Sequence, residues 1–60
     1  MKYEPLTTPE AVEQAFKDGR KVEFRAAFGR SVGRWVDVSR LREDARADLL
    51  KVGQVRAVNP

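Results

Sequence analysis

The sequence contains no cysteine and no histidine among its 60 residues. Without cysteine, the chain has neither a disulfide framework nor a thiolate metal site. Without histidine, it lacks the commonest metal ligand and the commonest general base at neutral pH. We therefore expect a protein that is not an enzyme and that holds no metal or other cofactor.

Long hydrophobic runs are also missing. No apolar segment approaches the length of a membrane span, and the N-terminus lacks the basic-then-apolar order of a signal peptide. We expect one cytoplasmic domain, residues 1–60, that has no membrane partner. A chain of this length buries only about 60% of the surface that its unfolded form exposes, so its stability alone is marginal. Self-association would add buried surface, and we expect a homo-oligomer.

The net charge of +3 is distributed unevenly along the chain. Residues 20–42 hold seven Lys or Arg and two acidic residues, a balance of +5, whereas residues 1–19 carry −2 and residues 43–60 are neutral. A basic centre favours an anionic partner. The alternative is that a half-exposed strand pair needs polar residues on its solvated face and edges. We favour this second interpretation, because a charge balance of +5 with one exposed aromatic residue is only a weak indication of nucleic-acid binding.

A helix is predicted over residues 9–18. Thr8 suits the N-cap, Pro9 suits the first helical position, and Glu10 lies where the helix dipole favours an acid. Gly19 follows as a residue that can take positive φ after the helix ends. One stripe of the helix is apolar: Ala11, Val12, Ala15 and Phe16.

Residues 21–28 and 34–38 alternate like the two strands of a β-hairpin. The length of the loop fixes which residues face each other. A three-residue loop would place Glu23 opposite Asp37, whereas a five-residue loop over 29–33 places Arg25 opposite Asp37. Because opposed unlike charges are favoured and like charges are not, we predict the five-residue loop. The apolar face of the first strand is Val22, Phe24, Ala26 and Phe28, and Trp35 lies on the other face.

Two carboxylates of the hairpin, Glu23 and Asp37, are the pair that a glycoside hydrolase would use. A 60-residue domain can hardly enclose a water-excluding cleft around them. Arg25 lies between them in the predicted hairpin, which indicates charge compensation. We therefore interpret the pair as structural and predict no catalytic residues.

A second helix is predicted from an N-cap at Ser39 to about Lys51, and Gly53 ends it. Residues 54–58 read as a short last strand, and residues 1–7 as a lead-in with an edge strand through Tyr3 that ends at Pro5. The predicted fold class is α+β: a short helix, a central antiparallel hairpin, a second helix and a C-terminal strand in a three-stranded antiparallel sheet. The apolar stripe of the second helix is Leu41, Ala45, Leu49 and Val52.

The candidate binding residues lie on the hairpin. The loop Gly29-Arg30-Ser31-Val32-Gly33 lacks the ending of a phosphate-binding loop and indicates a turn. Arg30 at its tip and Arg34 beside it remain candidates for contacting phosphate or carboxylate groups. Trp35, beside Arg25, has three alternative interpretations: cover by the second helix, burial in a self-association interface, or a surface for a base or a protein pocket.

A resemblance rests on three segments, Pro9-Glu10-Ala11-Val12-Glu13-Gln14-Ala15-Phe16-Lys17-Asp18-Gly19-Arg20-Lys21-Val22, Trp35 with Asp37-Val38, and Val55-Arg56-Ala57-Val58-Asn59-Pro60. In these the chain resembles small phage and prophage proteins of uncertain role. Some phage proteins with a similar helix-Gly-strand opening are anti-defence proteins that sequester nucleotide signals as oligomers. Where the family more usually has an aromatic residue before Arg56, this chain has Val55. The resemblance implies an α+β fold and transfers no functional residue.

The functional expectation is a non-enzymatic interaction protein, similar to phage or prophage accessory proteins. It would act through the hairpin surface and through self-association, with a protein partner. The alternative is a nucleic-acid or nucleotide-binding protein that uses the same basic face. The residues on which both hypotheses depend are Arg25, Arg30, Arg34 and Trp35.

Overall fold

The computed structural model describes residues 2–29 and 33–59. Seven elements follow one another along the chain: β1 (Tyr3–Leu6), α1 (Pro9–Lys17), β2 (Val22–Ala26), β3 (Trp35–Asp37), α2 (Glu43–Arg46), α3 (Leu49–Val52) and β4 (Gly53–Val58). The predicted α+β class is confirmed.

The strands form one antiparallel sheet in the order β1-β4-β2-β3. The sheet has four strands and not the predicted three, because β1 pairs with β4 along its whole length, from Tyr3 opposite Val58 to Leu6 opposite Val55. The hairpin is therefore not central, since β3 lies at one edge. Pro5 lies within the other edge strand, where a residue without an N–H is tolerated.

Helix α1 confirms the sequence prediction closely. The Thr8 side chain accepts a hydrogen bond from the Ala11 N–H at 3.1 Å, and Gly19 has a φ of +72° just beyond the helix. Val12 and Ala15 are buried, with the rest of the apolar stripe packed around them. Capping groups and apolar spacing agree here, which is why local sequence was enough to predict this element.

The register of the hairpin corrects the prediction. Glu23 lies opposite Asp37, and Arg25 opposite Trp35, which is the register that the argument from like charges had rejected. The reason is that each carboxylate has another partner, Arg56 for Glu23 and Ser39 for Asp37. The strands are also shorter than predicted, and Phe28 lies beyond β2 with 67% of its surface exposed.

The predicted second helix is two short helices, α2 and α3, separated by residues 47–48. Ser39 does not cap a helix, because its Oγ accepts the Val22 N–H at 3.0 Å and donates to Asp37. The helical segment therefore begins at Glu43. Its N-cap residue, Arg42, makes no side-chain capping hydrogen bond. Of the predicted apolar stripe, Leu49 is buried and Leu41 packs against the core.

The core lies on one face of the sheet. Helical residues pack there on the strand residues Leu6, Val22, Val55 and Ala57. Gly53, at the start of β4, lies so close to β2 that an added Cβ would be 2.7 Å from the Phe24 ring and would overlap the Arg25 carbonyl oxygen. This close approach explains why glycine, and no larger residue, joins α3 to β4.

Candidate functional site

The other face of the sheet, here called the open face, carries a different set of residues. Successive strand residues point to opposite sides, and residues paired across strands share a side. Since Leu6, Val22, Val55 and Ala57 face the helices, their sequence neighbours face away. The open face consists of Tyr3 and Pro5 on β1, Gln54, Arg56 and Val58 on β4, Glu23 and Arg25 on β2, and Trp35 and Asp37 on β3.

Arg56 lies between two aromatic side chains at the centre of the open face. Its guanidinium carbon is 3.8 Å from the centre of the Tyr3 ring and 3.9 Å from the centre of the Trp35 ring. These are stacking distances, at which a planar cation interacts favourably with an aromatic ring. The two rings come from opposite edges of the sheet, so the contact links β1, β4 and β3 on this side.

Further cations extend this arrangement. The Arg25 guanidinium carbon is 4.9 Å from the centre of the Trp35 ring, and the Lys2 ammonium is 5.9 Å from that of Tyr3. Arg25 also donates a hydrogen bond to the Gln54 side chain on the neighbouring strand. Cationic and aromatic side chains thus alternate across the open face, and each is held by its neighbours.

Glu23 fixes the position of the Arg56 side chain. Its Oε1 lies 2.8 Å from Arg56 Nε, and the two side chains are only 15% and 21% exposed. A charge-assisted hydrogen bond with this geometry orients the guanidinium group as well as neutralising it. The register that places Glu23 opposite Arg56 on β4 therefore also places the guanidinium between the rings.

Asp37 ends the open face at the edge strand β3. Its Oδ1 accepts hydrogen bonds from the hydroxyl of Ser39 at 2.6 Å and from the Ser39 N–H at 2.9 Å. These bonds to Ser39 lower the pKa of the Asp37 carboxyl below its ordinary value, and the charges of Lys21 and Arg40 act in the same direction. Asp37 is therefore a fixed negative charge at neutral pH.

The formal charges of the open face balance. Arg25 and Arg56 are offset by Glu23 and Asp37, all on the same side of the sheet. A surface that binds the phosphate backbone needs an excess of Lys and Arg. The basic balance that the sequence shows for residues 20–42 is therefore not concentrated on this face.

A groove of about 560 Å³ runs along the open face. Tyr3, Pro5, Trp35, Gln54 and Arg56 contribute to its wall, and it continues past the end of β1 to Leu50 of α3. Because β4 extends beyond β1, the sheet leaves a notch at this corner. The stack of Tyr3, Arg56 and Trp35 thus borders a concave surface.

The structure brings together two of the four predicted binding residues, Arg25 and Trp35, which contact each other. Arg34 is exposed and precedes β3, and the predicted contact residue Arg30 lies outside the described residues. In the described part of the chain, no helix covers Trp35, because the core is on the opposite face. This removes the first of its three alternative interpretations.

Sequence reasoning missed Tyr3 and Arg56. A signal for Arg56 was present, because alternation with Val55 and Ala57 in the predicted last strand places Arg56 away from the core. Its neighbours on the open face could not be derived, because they depend on β4 pairing between β1 and β2. That order places residues 3 and 56 side by side, although they are far apart in the sequence.

Within residues 2–29 and 33–59 there is no group of three or more acidic side chains that could hold a metal ion. The helices found in the same ranges are all too short to cross a membrane. Comparison of the chain with protein-family models, curated proteins and solved structures found no match. The arguments about function therefore depend on the geometry of the open face.

Proposed function

We propose that this chain is a non-enzymatic interaction protein whose open face binds the surface of another polypeptide. The observation that carries the proposal is the stack of Tyr3, Arg56 and Trp35 on a face that no described helix covers. Tyrosine, tryptophan and arginine are the residue types that contribute most of the binding energy at the centres of protein interfaces.

The stack is organised before a partner arrives. Glu23 holds Arg56, and Arg56 holds both rings, so these side chains have little rotamer freedom left to lose. Immobilising a flexible side chain in an interface costs roughly 0.5–1.5 kcal/mol, and preorganisation avoids much of that cost. A rigid patch of this kind favours binding to a surface of fixed shape.

The charge balance distinguishes a protein partner from a nucleic acid. Binding to single strands combines a positively charged groove with aromatic side chains on which bases stack. Here the acids Glu23 and Asp37 offset the two arginines, and guanidinium groups already occupy stacking positions on Trp35 and Tyr3. Both features support a polypeptide partner over the nucleic-acid alternative.

The experiment compares three immobilised proteins in a lysate of the cells that express the chain: the native protein, Trp35→Ala and Phe28→Ala. Phe28 is the matched control, because it is a highly exposed aromatic residue outside the open face. We expect a protein that binds the native chain and Phe28→Ala but not Trp35→Ala. Each captured protein is then purified and its binding to the three proteins is measured directly.

A second arm tests the alternative with fluorescently labelled single-stranded oligonucleotides, whose anisotropy measures binding to the native chain and to Trp35→Ala alike. Phosphate contacts weaken steeply as the salt concentration rises, whereas a largely apolar protein interface does not. Oligonucleotide binding that requires Trp35 and disappears between 50 and roughly 200 mM salt would contradict the proposal. Protein binding that persists at that salt concentration supports it.

A further inference from the structure

We propose that the polypeptide bound on the open face is a second copy of this chain, so that two sheets pack face to face between two helical layers. This inference rests on the proposed function and names the partner of the same face. Three observations carry it: the amount of exposed surface, the symmetry of the charges, and the composition of the face.

The chain exposes more surface than a monomer of its size. Its accessible area is 4543 Å², whereas a folded monomer of 6.8 kDa is expected to expose roughly 3,950 Å². The excess is roughly 600 Å² per chain, or about 1,200 Å² for two copies. That total is at the lower end of the range for specific protein interfaces. Burial of that much surface by each of two copies would bring the exposed area of each chain to the value expected for its size.

The charges of the open face complement those of an identical face. A two-fold dimer brings the same patch against itself, so a patch of one sign would repel its copy. An axis that runs along the sheet between the central strands β2 and β4 exchanges those two strands. It places Glu23 over Arg56 of the second copy, Arg56 over its Glu23, and Arg25 over its Gln54. Each of these three side chains then faces an opposite charge or a neutral partner, and Asp37 at the edge lies over the uncharged Pro5 of the second copy.

The same axis exchanges the edge strands β1 and β3, which carry the aromatic residues of the stack. Tyr3 and Trp35 would thereby lose contact with water on both sides of the dimer. Packed sheets whose strands run in nearly the same direction are a common arrangement, with side chains of the two inner faces filling the space between them. For a 60-residue chain, this would supply burial that the single layer of helices does not.

The test is the mass in solution, measured by light scattering over a concentration series together with Trp35 emission. We expect a dimer whose emission is blue-shifted and protected from a quencher, with both properties lost on dilution. Trp35→Ala should weaken the dimer at least tenfold, as expected for a large aromatic anchor of an interface. Phe28→Ala, the exposed control outside the face, should leave the dissociation constant unchanged.

A charge rescue tests the orientation of the two copies. Gln54→Arg places two positive charges against each other across the axis and should weaken the dimer. Mixing this chain with a separate Arg25→Glu chain places opposite charges across the axis in the mixed dimer and should recover dimer formation, whereas contacts between positions 25 and 54 within each chain do not change on mixing. Circular dichroism of each variant shows whether the fold is retained, so that loss of the dimer can be separated from unfolding.

A native chain that stays monomeric at every concentration would overturn this inference, as would a dimer that Trp35→Ala and Gln54→Arg both leave intact. Neither result affects the proposed function, which requires only that some polypeptide binds to the open face. That broader proposal fails on a different result, Trp35-dependent binding of oligonucleotides that high salt abolishes. The two failures are therefore distinguishable.

Discussion

The two faces of this sheet are held by different interactions. On the helix side, aliphatic residues such as Val22 and Ala57 are fully buried, and their contribution comes from apolar area removed from water. On the open face, planar side chains stack around Arg56, and none of them is fully buried. One face therefore makes the fold stable, while the other remains available for contacts.

This difference would allow a small chain to use half of its sheet for the binding proposed above. Core packing tolerates little change in shape, because interiors are close-packed. The open face contributes less to folding, so its residues can be chosen for what they contact. Substitutions on the two faces should accordingly separate stability from association.

The largest expected effect comes from the helix side of β1. Leu6 is 3% exposed, and Leu6→Ala should lower the free energy of unfolding by about 2–5 kcal/mol. A domain of this length has roughly 3–9 kcal/mol in total, so the variant should be largely unfolded under mild denaturing conditions. Urea denaturation followed by circular dichroism measures the loss.

Tyr3→Ala, on the same strand but on the open face, is the matched comparison for Leu6→Ala. Tyr3 is already 37% exposed, and its removal should cost about 1 kcal/mol or less at low protein concentration. Equal losses for the two variants would contradict the division of the sheet into a stabilising face and a contact face.

The features that could be predicted from the sequence are those that local signals determine. Helix α1 has a capping side chain, a proline at its start and a glycine after its end, and each acts within a few residues. The face on which Trp35 lies also followed from strand alternation. The hairpin register did not, because the partners of Glu23 and Asp37 lie on β4 and at Ser39, outside the hairpin. Pairing of charges across two strands determines the register only weakly when each charged group has another partner.

Prediction of the candidate site from the sequence was limited for the same reason, because some of its residues meet only through contacts between distant parts of the chain. Arg25 and Trp35 could be grouped because they belong to one hairpin, whereas Tyr3 and Arg56 join them only through the strand order β1-β4-β2-β3. Alternation in a single strand gives the face on which a residue lies but not its neighbours on that face. The centre of the open face was therefore beyond sequence reasoning.

An intermediate effect is expected from Arg56→Lys. Lysine keeps the positive charge beside Glu23 but lacks the planar group that stacks on Tyr3 and Trp35. We expect a loss of about 1 kcal/mol in the free energy of unfolding, with Trp35 emission shifted to the red. Arg42→Lys, at an exposed position without a side-chain capping bond, is the control and should change neither quantity. An unchanged emission spectrum for Arg56→Lys would show that the stack does not order Trp35.

The smallest effect concerns the edge of the open face and depends on pH. Hydrogen bonds from Ser39 lower the pKa of Asp37 in the folded chain, so the folded protein releases this proton more readily than the unfolded one. Asp37 therefore stabilises the fold above its ordinary pKa of about 3.9, and this contribution is lost as the pH falls toward the lower value in the folded state. Asp37→Asn should flatten the dependence of stability on pH below about pH 4, in urea denaturation at a series of pH values.

Ser39→Ala distinguishes the effect of Ser39 on the pKa of Asp37 from the second hydrogen bond of the same hydroxyl, the one with Val22. The Ser39 hydroxyl donates to Asp37 and accepts the Val22 N–H, so its loss should lower stability at every pH and also flatten the acid slope. Asp37→Asn should flatten the slope by removing only the charge-dependent stabilisation present at neutral pH, with little change in acid, since an amide oxygen can still accept the Ser39 N–H. If both variants kept the native acid slope, the ordering of this edge would have to come from the backbone pairing of β3 alone. In that case the charge of Asp37 would not contribute to the stability of this edge, although its side chain lies on the open face.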